Sequence, residues 1–595
     1  MDSGKHRRDG DGVEEVPWYE TRRVVRRRPA WLGPAAVGTG GVLLVVGAVL
    51  AGSSFFPARL TGRTGCDGPQ AAATVSAAPD HADVLKRLAA QWSLTEPRVG
   101  DACASVTVVA AESATVASTL GTAAAGGRPD AWAPESSAWA GLAASRPEAV
   151  AALPTSGRSL ATTPVVIAVG RERAKALGWP AQKLSWRAVL GGMAKDPTWG
   201  LYGHRGWGPF VIGMGDPTRS TAALHTLLAV ADANGNGAVE PGEVTNELAL
   251  ERSVGVYGPD AQLIDRASGK GPVSAVPATE QQVLEHNASG EVSQLVPVYP
   301  ADGVAAADHP LLMLRGSWVT AQKQQVVQAF ADYALGAEGR AAYGRDGFRG
   351  PDRSPAGIPV EGAAAVVAKA YKERKLLAAG PTAQALVRWR ALRRPANVLA
   401  AIDTSGSMAE PAPGLPVTKL AVFQKAAAQS VRLFNSRSRL GLWEFSSLLD
   451  GTRDYKQLVP ARPLGSKVGR TDQRSLIIGA ADRMKAVGNT GLYDTIDAGY
   501  REILRTWRAD QQNILVVMTD GKNEDISGLS LPQLTSSLRA HLNPKKPVTV
   551  ILIAYGADAD VASLGQAATA ARGRTYWAKQ PTDIGKVFLA AMVNR

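Results

Sequence analysis

The chain has 595 residues, 45% of them hydrophobic, which calls for several cored domains and excludes a disordered chain. Lys and Arg total 66 against 53 Asp and Glu, a formal charge of +13. The basic residues gather at Arg22–Arg28 and at Lys372–Arg394, with no zinc-finger or RRM signature between them, so nucleic-acid binding is not indicated.

After Arg28 no charged residue occurs until Arg59. Within that span, Ala35–Phe56 is about long enough to cross a bilayer core. The arginines before it place the N-terminus in the cytoplasm and the bulk of the chain outside. The expectation is a cytoplasmic basic tail over 1–30 and a transmembrane signal anchor over 31–58. A cleavable signal peptide is the rival, but its leader and apolar core are shorter than these. The two cysteines, Cys66 and Cys103, both fall on the outer side, where disulfides persist. Each precedes a strand-like run, "AAATVSAA" and "SVTVVAAES". Adjacent parallel strands that begin at one sheet edge would bring the two within bridging reach; two free thiols are the alternative.

From Gln70 to about Arg345 short apolar strands alternate with helical segments, which predicts an α/β fold with mainly parallel pairing. In order, "TVSAAPDHADVLKRLAAQW", "RPDAWAPESSAWA", "LATTPVVIAVG", "GMGDPTRSTAALHTLLA", "VSAVPATEQQVLEHN" and "LRGSWVTAQKQQVVQAFADYAL" resemble the two-lobed extracellular solute-binding proteins of bacterial transporters, the type II periplasmic-binding-protein-like class. The resemblance implies a domain over 66–345 that holds a small-molecule solute between two lobes. Ser220 or Thr221 is expected to cap the helix that starts at "TAALHTLL".

Within this region, "DANGNGAVEPGE" runs from Asp232 to Glu243. Asp232, Asn234, Asn236, the carbonyl of Ala238 and Glu243 at the twelfth position follow calcium-loop spacing, with Gly237 at the turn. The segment resembles a single EF-hand loop holding Ca²⁺. It equally reads as a Gly/Asn turn that joins two helices, and both readings stand at this point.

Residues 346–394, with the Pro/Gly-rich "GPDRSPAGIPVEG" from Gly350, are expected to be a linker with the helical stretch "AAAVVAKAYKERKLLAAG". From Pro395, "NVLAAIDTSGSM" is a strand that ends in hydroxyl residues. A helix ("KLAVFQKAAAQSVRLFN"), a strand ("RLGLWEFS"), a loop ("GNTGLYDTIDAGYREILRTW") and the strands "QQNILVVMTD" and "PVTVILIAYG" follow. This order predicts a doubly wound, Rossmann-like sheet, whose ligands bind at the carboxyl ends of strands. Asp403, Ser405, Ser407, Thr490 and Asp520 can converge there as two carboxylates and three hydroxyls. This hard-oxygen set suits Mg²⁺ or Mn²⁺. A strand end is expected to leave Asp403 solvent-facing.

"DTSGSM", the Thr of "GNTGLYD" and the Asp of "VVMTDG" resemble the metal-ion-dependent adhesion site of von Willebrand factor A (VWA) domains, over 395–595. The resemblance implies a metal with one open position, bridged to an Asp or Glu of a protein partner. No general base, nucleophile elbow or phosphate loop accompanies these motifs, so a membrane-anchored extracellular binding or adhesion protein is expected, not an enzyme. The alternatives are the solute receptor of a transport system and a metal-dependent hydrolase.

Overall fold

The computed structural model describes residues 66–580 and 583, apart from 123–127, 155–156, 241–242, 269–270, 291–293, 359–370 and 432–433. Residues 65–595 form one compact unit. The basic tail and the anchor over 31–58 lie outside the described residues. Among the described residues no helix is long and apolar enough to cross a membrane.

β1 (Gln70–Ala77) leads into α1 (Pro79–Ser93), where Pro79 opens the first turn at no hydrogen-bond cost. Its Val84, Leu85, Leu88 and Trp92 share a core with Val75. β2 (Ala102–Ala110) and β3 (Ala131–Ala133) both pair with β1 in parallel. Cys103 in β2 stands opposite Gln70, and the Cys66–Cys103 disulfide forms with Cα atoms 5.8 Å apart, as the adjacent-strand reading expects. α2 (Ser137–Ala144) follows β3.

β4 (Thr163–Gly170) is buried along its whole length and enters a second sheet. α3 (Thr221–Ala231) and α4 (Val244–Ser253) flank the Asp232–Glu243 segment. β5 (Val276–Thr279) and β6 (Leu295–Val298) lie on either side of β4, and β7 (Ala306–Ala307) joins the β6 side. All three run against β4, so the expected parallel pairing holds around β1 and fails here. The reason is that β4 carries the chain into this lobe, while the strands beside it carry the chain back. β8 (Pro310–Met313) returns to the first sheet against β3, and α5 (Ala321–Ala334) lays Val326, Val327 and Phe330 on the first core.

The segment expected as a linker is structurally committed. Phe348 joins the first core, and Arg349 makes a fully buried ion pair with Glu280, 2.7 Å from Nη2 to Oε2. Of the expected helix, 363–370 lies outside the described residues and Tyr371–Ala378 is not helical. The helix comes later, as α6 (Ala379–Arg393), and its Trp389 is buried in the same core as Trp132, Trp139 and Leu227.

β9 (Ala396–Asp403) starts the last sheet, followed by α7 (Lys419–Val431), β10 (Arg439–Asp450), β11 (Arg453–Pro463), α8 (Leu492–Arg505), β12 (Gln512–Thr519), α9 (Leu531–Ala540), β13 (Thr549–Tyr555), α10 (Val561–Ala570) and β14 (Arg574–Ala578). The order is β11-β10-β9-β12-β13-β14, parallel throughout except for the β11 edge. Val398 and Ile402 of β9 pack with Phe423 on one face; Leu399 and Ala401 pack with Ile496 and Tyr500 on the other. Both faces are covered, which is why the strands read as unbroken apolar runs. The stretch after Gly488, expected as a loop, is α8. Its Leu492, Ile496, Tyr500 and Ile503 recur at helical spacing and are all buried.

The disulfide ties the start of β1 to β2 across a sequence separation of 37. Replacing both cysteines by serine should lower the denaturant midpoint of the unfolding phase that includes β1 and β2, by an amount equivalent to at most about 4 kcal/mol.

Candidate functional site at the carboxyl edge of the last sheet

β9 lies between β10 and β12 in continuous register, so its last residue is delivered to the carboxyl edge of the sheet. Asp403 is 0% exposed, contrary to the solvent-facing position expected of a strand end. The chain turns over it: Oδ1 accepts the Ser405 N–H at 2.8 Å, and Oδ2 accepts the Thr519 hydroxyl at 2.5 Å. The Ser405 and Ser407 hydroxyl oxygens are 3.1 Å apart, and Ser407 Oγ donates to Asp520 Oδ1 at 2.8 Å. A methyl group placed on Gly521 would lie 3.4 Å from Thr490 Oγ1 and 3.9 Å from Ser407 Oγ. The five residues singled out in the sequence therefore surround one spot. Asp403, Ser405, Thr490 and Asp520 are buried, while Ser407 is half-buried beside an exposed Gly406.

The electrostatics are unbalanced. Burial pushes the Asp403 carboxyl up to about 7, against the Thr519 and Ser405 hydrogen bonds, and the Asp520 charge adds to the rise. The sequence reading missed Lys419, the first residue of α7. Its ammonium lies 2.9 Å from Asp520 Oδ2 and 2.7 Å from Glu410 Oε2. Burial alone would lower Lys419, but these hydrogen bonds hold it above its ordinary value. It also missed Glu524, whose Oε2 accepts the Thr490 N–H at 3.1 Å. No spacing rule marks either residue; only the closing of the loops brings them in.

Exposed apolar side chains stand on the segments around this edge: Val417, Val487 and Ile526 on loops and Leu448 near the end of β10.

Away from this edge, the hydroxyls expected at the start of α3 are both engaged. Ser220 Oγ caps the Ala223 N–H at 3.1 Å and donates to Asp260 at 2.6 Å, and Thr221 Oγ1 accepts from Trp139 Nε1 at 2.7 Å. Around them Asp80 pairs with His309 at 2.7 Å and His225 meets Ser136 at 2.9 Å. Glu135 is raised well above the carboxylate range by burial and by the Asp80, Asp260 and Glu112 carboxylates.

In the Asp232–Glu243 segment the carboxylates turn inward. Asp232 accepts the N–H groups of Asn236 (3.0 Å) and Gly237 (3.1 Å), and Glu243 accepts those of Asn234 and Glu240, both at 3.0 Å. Asn234 Oδ1 and Asn236 Oδ1 accept from Asn236 N and Ala238 N, each at 2.9 Å. Gly237 takes a φ of 85°, which a side chain would resist. Arg374 donates to the carbonyls of Asp232 and Ala233 and leaves both carboxylates alone.

Residues 73–349 match the family described as bacterial extracellular solute-binding protein. Over 562 residues the chain is 28% identical to an uncharacterized protein present in two strains of Mycobacterium tuberculosis, covering 90% of this chain and 79% of that one. Among solved structures it is similar to a von Willebrand factor type A protein from Catenulispora acidiphila, at 20% identity and a TM-score of 0.27. That match covers 33% of this chain and 42% of the other. It is similar to proximal thread matrix protein 1 of the mussel byssus with a zinc-occupied MIDAS motif, at 18% identity and a TM-score of 0.26, over 33% and 47% of the two chains. It is also similar to iron-bound HitA from Pseudomonas aeruginosa, at 16% identity and a TM-score of 0.39, over 54% and 98%. The chain thus spans less than half the length of the first two of these solved structures. The solute-binding match points to an extracellular protein that binds a small molecule.

Burial holds the His225 imidazole down at about 4, against an ordinary 6.5. A group depressed in this way favours the fold fully above 6.5 and loses that contribution as the pH falls toward 4. Asp308, His309 and Ser136 are the polar groups around it. His225→Gln should therefore flatten the pH dependence of the denaturation midpoint between 6.5 and 4 by about one proton, measured against the unmutated chain.

Proposed function

We propose that this is a membrane-anchored extracellular binding protein whose last domain holds a divalent metal at Asp403, Ser405, Ser407, Thr490 and Asp520 and uses it to grip an acidic residue of a protein partner. The observation that carries this reading is the convergence of those five side chains beside a buried carboxylate without a cation of its own. Lys419 serves Asp520, and among the described residues no cationic side chain pairs with Asp403. An all-oxygen set with two carboxylates suits Mg²⁺ or Mn²⁺. When bound, such a metal supplies an open coordination position for a partner's carboxylate. The chain's own residues do the rest. Asp403 and Asp520 provide the fixed charge, the hydroxyls orient toward it, and Val417, Leu448, Val487 and Ile526 offer apolar contact around the edge. No general base stands among them, so the reading is binding rather than hydrolysis.

The test is metal stoichiometry in the purified chain. Mn²⁺ should raise the melting temperature, because a ligand of the native state stabilises it by mass action. Asp403→Ala should lose one bound Mn²⁺ in equilibrium dialysis, and Ser405→Ala should weaken that same ion less. An unchanged Mn²⁺ count in Asp403→Ala would remove the proposal.

The Asp232–Glu243 loop supports a second, separate reading, a Ca²⁺ site of structural kind. Its support is that both terminal carboxylates are buried and point at the loop rather than at solvent or at Arg374. Glu243→Gln should reduce the Ca²⁺-dependent hydrogen-exchange protection of Asn234–Glu240. Equal protection in the variant would make the segment a turn and nothing more.

A further inference from the structure

On the far side of β10, three carboxylates from three elements meet. Asp454 comes from β11, Asp494 from the first turn of α8 and Asp525 from the loop after β12, each with an oxygen within 4.8 Å of the other two. A cluster of acids is common on protein surfaces, but this one is built in. Asp454 is only 4% exposed. Its Oδ1 accepts the Leu448 N–H at 2.8 Å, and its Oδ2 is buried with no hydrogen-bond partner. A buried carboxylate oxygen left unpaired is costly and calls for a positive partner. Among the described residues no side-chain cation pairs with it. Arg453, Arg501 and Arg505 line the same cavity of about 720 Å³, yet they pair with Asp450, Asp497 and Glu502.

The glycines of the two loops also fit a shared centre. A methyl on Gly491 would lie 2.3 Å from Asp454 Oδ2, and one on Gly528 would lie 2.1 Å from Asp494 Oδ2 and 2.3 Å from Asp525 Oδ2. A side chain at Gly528 would fill the space between Asp494 and Asp525, and one at Gly491 would displace the Asp454 side chain. Two of the carboxylates are held in place: Asp494 Oδ2 accepts the Leu529 N–H at 2.7 Å, and Asp525 Oδ1 accepts from Ser527 N (2.9 Å) and Oγ (2.7 Å).

We infer that Asp454, Asp494 and Asp525 form a second divalent-cation site, distinct from the one at Asp403, and that its ion is Ca²⁺. Three carboxylates suit Ca²⁺, which takes about six to eight oxygens in flexible geometry, better than Mg²⁺, which is usually held through one or two. Water reaching the open cavity completes the shell. The ion ties the β10–β11 hairpin to the two loops that also carry Thr490 and Asp520.

The experiment uses the full chain with Asp403→Ala and Glu243→Gln, so that neither of the other metal readings contributes. Tb³⁺ serves as the Ca²⁺ probe, since Trp443 and Tyr455 stack at 4.5 Å and line the same cavity, where they sensitise its emission. The expected result is tryptophan-excited Tb³⁺ emission that saturates at one equivalent and is displaced by Ca²⁺, with a Ca²⁺-dependent rise in melting temperature. Adding Asp525→Asn, at a half-exposed loop position that tolerates change, should weaken binding at least tenfold. Asp454→Asn should raise the melting temperature of the metal-free protein, because it removes an uncompensated charge, and should abolish the Ca²⁺ shift. Absence of emission, emission unchanged by Asp525→Asn and Asp454→Asn, or a Ca²⁺ shift that survives Asp454→Asn would each overturn the inference.

Discussion

A carboxylate with no room to retreat organises the last domain. β9 is the inner strand of a sheet covered on both faces, locked in register with β10 and β12, and its final residue is Asp403. The strand cannot slide, because a one-residue slip would exchange its two buried faces. The surroundings therefore adapt to the carboxylate. The backbone turns at once so that Ser405 N–H meets Oδ1, and Thr519 spends its hydroxyl on Oδ2. Two neutral donors do not balance a full charge in a dry site, and the rise of Asp403 to about 7 is the residue of that imbalance. Asp520 shows the contrast. It is equally buried, but Lys419 pairs with it and, through a second N–H, with Glu410.

The join between the two modules follows a similar logic. α6 belongs to the core of the solute-binding region through Ala385, Leu386 and Trp389, and the sheet of the last domain begins only three residues after its end. Its Arg388 Nε lies 3.0 Å from both oxygens of the buried Glu247 in α4. Arg393 pairs with Asp216 at 3.2 Å and covers the Tyr257 ring at 3.9 Å. Either partner of the Arg388–Glu247 pair alone would be an uncompensated buried charge, so the helix is held to one position. A basic run that looks like solvated charge in the sequence thus fixes where β9 starts.

What the sequence made legible depended on the range of the interaction. Strand–helix alternation, the strand-end position of Asp403 and Asp520, and the pairing of Cys66 with Cys103 all follow from local periodicity or from two neighbouring strands. The burial of Asp403 did not, since exposure at a strand end is decided by the loops that fold over it, here 404–407 and 519–521. Lys419 and Glu524 were invisible for the same reason. α8 was read as a loop because "GNTG" dominates its start, although the spacing of Leu492, Ile496, Tyr500 and Ile503 carries the helical period. The linker reading failed because a Pro/Gly opening reports local chain direction and says nothing of what Arg349 and Trp389 meet across the fold. Asp454, Asp494 and Asp525 lie too far apart in sequence for any motif, and only the sheet edge unites them.

Those three acids bear on the site at Asp403 through the backbone. Thr490 and Asp494 are four residues apart at the entry to α8, and Asp520 and Asp525 are five apart after β12. The two segments are already laced together: Asn523 Oδ1 accepts the N–H groups of Leu492 and Tyr493 at 2.9 and 3.1 Å, and Glu524 accepts that of Thr490. Each segment therefore has one acid or hydroxyl directed to the first site and one acid directed to the second. Restraining the distal ends removes backbone freedom that would otherwise be lost when the proximal ends close on their own ligand. If both sites bind as proposed, sharing their loops would couple them through ordering entropy, and by linkage that coupling would act equally in both directions.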